Sequence, residues 1–362
     1  MMPELHIGDL NLARPVIQGG MGIGVSLSGL AAAVANEGGI GVISSAGIGM
    51  LEADFEKNFA EANQRVLRRE IKRAKEMTKG IIGVNILIAL SDFDNLAKAA
   101  VAAGADLLFL GAGLPLKVPE IWPPNEWEKI TTKIVPIVSS SRAAKITFQS
   151  WQRHYNCVPD AVVVEGPLAG GHLGFKKGQI DDPEYSLEKI LPGVISVIKP
   201  FEQYFGKNIP VIAAGGVYTG ADINKYLQMG AQGVQMATRF VATTECDASI
   251  EFKNAYVKCT QEDLVIIDSP VGLPGRAIRN GFLEQLESGK KIPFKCPWKC
   301  LKNCDLKSSP YCIARALTNA QNGHLEQGFA FAGANASKID KITSVHELFE
   351  TLTAEYETAV SA

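Results

Sequence analysis

Between Pro15 and Met236 the chain repeats one unit: an amphipathic stretch ends in glycine, a turn follows, and a short apolar run begins. "ANEGGIGVISS", "AAGADLLFLG" and "QMGAQGVQMA" are three copies of it. Glycine at that place suits the left-handed cap that ends a helix. The apolar runs are continuous rather than alternating, the pattern of parallel strands covered on both faces. They predict eight strands, at Pro15–Gln18, Gly39–Ser44, Ile81–Asn85, Leu107–Leu110, Ile134–Val138, Ala161–Glu165, Pro210–Ala214 and Gly233–Met236. Helical periodicity fills most of the gaps. "SLSGLAAAVANEG" is one helix, and "SDFDNLAKAAVAAG" offers Ser91 as the cap of another. "TGADINKYLQMG" has Thr219 as cap, Ile223, Tyr226 and Leu227 on one face, and Gly230 as the stop. The charged stretch "ADFEKNFAEANQRVLRREIKRAKEMT" reads as an outer helix with its polar face in solvent.

Eight strands alternating with helices predict a (β/α)8 TIM barrel. The doubly wound rival would need G-x-G-x-x-G after the first strand, and "GGMGIGVSLSG" lacks that spacing. Past residue 245 the alternation stops. Residues 1–245 therefore read as the barrel and 246–362 as a C-terminal extension packed on it. "SPVGLPGRAIRN" and a cysteine-rich segment look like loop there, and "SVHELFETLTAEYETAV" reads as a closing amphipathic helix.

Composition narrows the partners. A net charge of −2 gives no electrostatic case for nucleic acid or an anionic membrane surface. No apolar run reaches the roughly 18 residues of a membrane span. "MMPELHIGDLNLARP" lacks the apolar core of a signal peptide, so the chain reads as cytoplasmic. A homodimer is left open. With seven cysteines, an odd number, a disulfide framework is not the natural reading.

Active sites of such barrels lie at the C-terminal ends of the strands. The residues there share one character: "QGGMGIG" after the first strand, Asn85 after the third, "EGPLAGGHLG" after the sixth, "AAGGVYTG" after the seventh and "QMATRF" after the eighth. Glycines let backbone N–H groups approach a ligand. The loops after strands seven and eight commonly hold a phosphate. A planar cofactor with one phosphate fits this layout, its ring near Met21 and its phosphate by Gly215, Gly216, Ala237 and Thr238. His172 is the only titratable side chain between Glu165 and Lys176. Each piece has a plainer reading, as a tight turn, a close-packed helix or a structural histidine; what favours chemistry is their coincidence at one end of the barrel.

"PVIQGGMGIGVSLSGLAAAVANEGGIGVIS", "GVNIL", "VVVEGPLAGGHLG", "PVIAAGGVYTGADINKYLQMGAQGVQMATRFVAT" and "SPVGLPGRAI" together resemble the nitronate monooxygenase (2-nitropropane dioxygenase) family, from about Pro15 to Arg276. The resemblance implies an FMN-dependent barrel oxidoreductase acting on a small molecule. It implies His172 as the catalytic histidine, and Gly20, Met21, Gly22, Asn85, Glu165, Gly170, Gly171, Gly215, Gly216, Gln235, Met236, Ala237 and Thr238 as cofactor contacts. The same family includes flavin-dependent enoyl-ACP reductases, so the substrate is a nitronate or an enoyl thioester, the latter with NAD(P)H as electron donor. Three positions depart from the pattern. Ala237 stands where glycine is usual, which a negative φ would accommodate. Glu165 stands where nitronate monooxygenases carry glutamine and the reductases glutamate. Leu168 stands where the reductases also carry glutamate. A non-redox phosphosugar barrel would share the phosphate glycines but should show carboxylate or lysine bases at several strand ends, where this chain has Gln18, Asn85, Glu165 and Gln235.

Cys296, Cys300, Cys304 and Cys312 follow the spacing C-x3-C-x3-C-x7-C, outside the resemblance. It matches neither usual zinc nor usual ferredoxin spacing. A zinc or iron–sulfur site and free structural thiols both stay open. The spacing would put the first three on one helix face, with Pro297 at a helix start.

Overall fold

The computed structural model describes residues 2–362. Eight parallel strands close into a barrel: β1 (Val16–Gln18), β2 (Ile40–Ser44), β3 (Ile81–Leu87), β4 (Leu107–Gly111), β5 (Lys133–Val138), β6 (Val162–Glu165), β7 (Val211–Ala214) and β8 (Gly233–Met236). Closure comes where β8 pairs with β1, Gln235 opposite Ile17. The eight predicted strands are all present, within two residues at each end.

Ile17, Val42, Phe109, Val135, Val163 and Ile212 fill the barrel interior. The floor is a small antiparallel hairpin, Leu5–Ile7 with Leu10–Leu12, whose apolar side chains join that same cluster. Leu5 comes so near β8 that a Cβ on Gly233 would meet its Cδ2 at 2.8 Å. A plugged floor leaves the opposite, C-terminal rim as the open end.

Helices cover the outside. Ser28–Asn36 has no side-chain cap of its own; Asp247 supplies one from far along the chain, accepting the N–H groups of Leu27, Gly29 and Leu30. Gly220–Gln228 starts as expected, with Thr219 and Asp222 in a reciprocal capping box. Two helix starts fall later than the pattern suggested. The charged helix runs Phe59–Met77, after a run of turns. The next runs Phe93–Ala102 with Asp92, not Ser91, at the cap position. The Ser91 N–H donates to the Cys300 carbonyl at 3.1 Å, one residue ahead of the observed cap.

The extension wraps back over the rim. "SPVGLPGRAIRN", read as loop, contributes a strand: Leu264–Asp268 and Pro274–Ile278 form an antiparallel hairpin, whose second arm pairs with Gly171–His172. The closing helix, Val345–Ser361, lies between Gly220–Gln228 and Ser28–Asn36, the place of the eighth barrel helix. Contact there is close: a Cβ on Gly220 would stand 2.2 Å from the Leu352 carbonyl oxygen.

Candidate active site

One arc of the rim is built by the loops after β1, β2 and β3. Gly19 donates its N–H to the Met236 carbonyl at 2.8 Å, tying this arc to β8. A Cβ on Gly20 would stand 2.4 Å from Asn85 Cβ, so only bare backbone fits. Met21 donates its N–H to Ser26 Oγ at 2.8 Å. A Cβ on Gly22 would lie 2.9 Å from Ala46 Cβ and 3.0 Å from Ser44 Oγ. Asn85 is buried and donates Nδ2 to the Phe109 carbonyl at 3.2 Å. Ser44, at the end of β2, is a residue that the sequence did not flag; its Oγ is buried with no hydrogen-bond partner. A buried hydroxyl left so carries its full desolvation cost, about 1–3 kcal/mol.

The opposite arc follows β6, β7 and β8. Gly215 and Gly216 take φ of +86° and +100°, a region open to glycine. A Cβ on Gly215 would also meet the Gly166 carbonyl oxygen at 2.6 Å. Gln235 and Met236 lie in β8 itself. Ala237 has φ −127°, so its methyl sits without strain where the family usually has glycine. Thr238 Oγ1 accepts the Gly333 N–H at 3.2 Å.

That last bond belongs to an element invisible in the sequence. The run Ala332–Asn335 stitches three loops together: Ala334 N–H to the Leu168 carbonyl at 3.1 Å, Asn335 Nδ2 to the Gly216 carbonyl at 2.7 Å, and Gly333 to Thr238. Gly170 is packed against it, since a Cβ there would meet Ala332 C and Gly333 N at 2.6 Å.

His172 is held by the small sheet. Gly171, at φ +76°, pairs with Arg276, and His172 with Gly275. Arg276 is buried and donates Nη1 to the Pro167 and Ala169 carbonyls at 2.8 and 3.0 Å, clamping the turn before the histidine. His172 Nε2 lies 2.7 Å from Ser269 Oγ, and the Phe331 ring meets the imidazole edge to face at 4.9 Å. Protein surrounds both ionisable groups closely enough for desolvation to set their state. It lowers the His172 pKa to about 4 and raises that of Glu165, at the end of β6, to about 7. At neutral pH the imidazole is uncharged and the carboxyl is near its midpoint.

The fourteen cofactor and catalytic candidates thus lie at, or just after, the C-terminal ends of β1, β3, β6, β7 and β8. The four C-terminal cysteines lie outside that set. They are not on a helix: Cys296, Cys300 and Cys304 sit in irregular chain, and Cys312 precedes the helix Ile313–Gln321. Pro cannot donate within a helix, and Lys299 at φ +45° further interrupts any helical run there.

The nitronate monooxygenase family model matches residues 5–109 and 116–355. The chain belongs to the nitronate monooxygenase family. It is therefore an oxidoreductase of the flavin-dependent kind. It is 27% identical over 303 residues to a "Probable nitronate monooxygenase" of Staphylococcus aureus (76% of this chain, 78% of that one). It is 26% identical over 282 residues (78% and 68%) to a Mycobacterium tuberculosis protein named "(3aS,4S,5R,7aS)-5-hydroxy-7a-methyl-1-oxo-octahydro-1H-indene-4-carboxyl-CoA dehydrogenase". Among solved structures, FabK from Thermotoga maritima superposes with TM-score 0.73 at 28% identity, covering 97% of this chain and 94% of that one. Nitroalkane oxidase from Streptomyces ansochromogenes gives TM-score 0.73 at 20% identity (97% of each), a likeness of fold alone.

Proposed function

We propose that the chain binds FMN at this rim and oxidises alkyl nitronates with O2, His172 acting as the base and orienting group. The observation that carries the reading is His172 itself: an imidazole held by Ser269 and Phe331 directly after Gly170 and Gly171 at the C-terminal rim, its pKa lowered by burial. The rim suits the cofactor on two counts. Ser44 Oγ is a buried hydroxyl without a partner beside Gly22, and at Gly171 the space a side chain would take is open. Gly20, Met21, Gly22, Asn85, Glu165, Gly170 and Gly171 would hold the ring, and Gly215, Gly216, Gln235, Met236, Ala237 and Thr238 the phosphate side. When bound, FMN supplies the electron chemistry.

The side chains do the rest. A nitronate arrives already deprotonated, so His172 need only orient the anion, donating an N–H toward the nitro end. An anion there would also draw the imidazole pKa back upward, making it a stronger base once substrate is present. Ser269 occupies one ring nitrogen and leaves the other for substrate. Phe331 shields the imidazole from water on one side.

An enoyl-thioester reductase using NAD(P)H is the second reading. It is favoured by Glu165, whose carboxyl burial pushes up to about 7, and by Leu273, whose side chain stays 37% exposed on a rim loop; Leu168 stands against it. One titration separates the two. Protein purified without oxygen is expected to carry oxidised flavin, with absorbance near ~370 and ~450 nm. Bleaching by a nitronate alone supports the first reading, and bleaching by NADH or NADPH the second. A colourless protein that cannot be reconstituted with FMN overturns both.

A further inference from the structure

From Ser288 to Cys312 the chain forms neither helix nor strand beyond a single bridge from Leu301 to Leu90. This segment holds four of the chain's seven cysteines, all free thiols and all half-buried. It is folded back on itself. Ile292 N–H donates to the Pro310 carbonyl at 2.8 Å, and Asp305 turns the chain by accepting from Lys307 N–H at 3.0 Å and Ser308 Oγ at 2.7 Å. The fold-back brings Cys300 and Cys312 into one packed cluster, with Cys296 and Cys304 four residues to either side of Cys300. Cys157, Cys246 and Cys259 take no part in that group and pack in other clusters.

The segment is anchored at the rim. Trp298 stacks on Phe59 with ring centroids 5.4 Å apart and meets Phe55 edge-on at 5.3 Å. Lys302 N–H donates to the Ala89 carbonyl at 2.9 Å. Cys300 and Cys312 pack against Ile23 and Met50, next to Gly22.

Tyr311 is buried and Leu301 packs against neighbouring apolar clusters, but the segment has no helix or strand of its own. Bound metal supplies such a stretch with folding free energy directly. Four thiolates are the soft donor set that selects zinc or iron–sulfur chemistry. They also carry surplus negative charge on binding, and Lys295, Lys299, Lys302 and Lys307 are interleaved with them. Among the described residues no three His, Cys, Asp or Glu side chains already stand closed for a metal ion. A metal ion would have to draw the four sulfurs together.

We propose that Cys296, Cys300, Cys304 and Cys312 together bind one soft metal centre, Zn2+ or an iron–sulfur cluster, at the rim beside the Gly22–Ile23 loop. The assignment stands independently of the flavin.

The test is the metal content of the full chain purified without oxygen, and again after incubation with Zn2+ or with Fe2+ and sulfide. About one zinc, or about four irons with matching acid-labile sulfide, is expected per chain. Zinc alone identifies a structural centre; iron with sulfide and a broad absorbance near ~400 nm identifies a cluster. The paired variant Cys300→Ser/Cys312→Ser should lose nearly all the metal while Cys246→Ser keeps it. Wild-type protein that stays substoichiometric after both incubations overturns the proposal, as does metal retained by the paired variant. Because the first assay uses wild-type protein, a misfolded variant does not rescue the idea. A colourless protein that holds metal keeps this assignment and ends the flavin reading.

Discussion

Two segments of the extension-covered rim carry unusual residues, and they are held in opposite ways. The His172 segment is clamped by strand pairing to Gly275 and Arg276, by two bonds from Arg276, and by the Ala332–Asn335 run behind Gly170. The cysteine segment has no strand pairing beyond one bridge; it is held by Trp298 against Phe55 and Phe59, by backbone bonds to Ala89 and Ser91, and by its own turn. A group that must meet a substrate at a set distance has to be rigid before the substrate arrives, since misplacement of about 1 Å can cost 10²-fold. A group that wraps a metal can be ordered by the metal itself. The difference in scaffolding therefore separates a preorganised site from one that its ligand completes.

The sharpest way to break this contrast is His172→Ala. Loss of an acid–base group should slow turnover of neutral nitroalkanes, whose α-proton must be removed, by about 10²–10⁴-fold, measured by oxygen uptake, with FMN content unchanged. Full activity would return His172 to a structural role.

Next comes the clamp. Arg276→Met leaves two carbonyls without their donor in a buried place, at about 1–3 kcal/mol. Thermal unfolding should fall by several degrees and turnover with it. Gly170→Ala forces a methyl into the Ala332–Gly333 backbone and should cost a similar 1–3 kcal/mol or so by overpacking. If either variant behaves as wild type, the His172 segment is not held as described.

Trp298→Ala should act on the other segment alone. Limited proteolysis of the metal-free protein is expected to cut between Ser288 and Cys312 faster, with nitronate turnover changed far less than by the clamp variants. An equal loss of turnover would join the two segments into one unit.

The smallest effect is on pH. Burial lowers His172 from 6.5 to about 4, so substrate-free enzyme keeps a neutral imidazole down to about pH 4. The low-pH limb of kcat/KM should lie near 4 rather than 6.5. The His172 contribution to stability has the same sign: between 6.5 and 4 the unfolded chain takes up a proton that the folded imidazole refuses, so this contribution falls as pH falls. Glu165, raised from 4.5 to about 7, contributes the opposite slope between those values. His172→Gln should shift the slope of stability with pH toward the Glu165 sign in urea titrations; an unchanged slope places the proton elsewhere.

How far the sequence could be read follows from which forces act locally. The barrel strands were legible because both faces are buried, which writes continuous apolar runs. Thr219 was legible as a cap because Asp222 completes its motif three residues on. The glycine loops were legible through their number. What stayed hidden depends on partners far along the chain. Gly171–His172 is too short a strand to show a period, and its partner, Pro274–Ile278, carries Pro and Gly that read as loop. Ala332–Asn335 has no pattern of its own; its role lies in bonds to Leu168, Gly216 and Thr238. Ser91 lies one residue ahead of the observed cap, and its N–H meets Cys300, remote in sequence. Ser44 is singled out only by burial.

The placement of Val345–Ser361 bears on how the chain comes into being. The helix docks on Gly220–Gln228 and on Ser28–Asn36, so a ribosome must make the whole extension before the first barrel helix meets its last neighbour. Until then Phe349, Leu352 and Tyr356 have no partner to offer those helices, and the nascent barrel keeps an apolar seam open. Closing a loop this long is slow relative to local helix formation. The seam is where a chaperone would find this protein during synthesis.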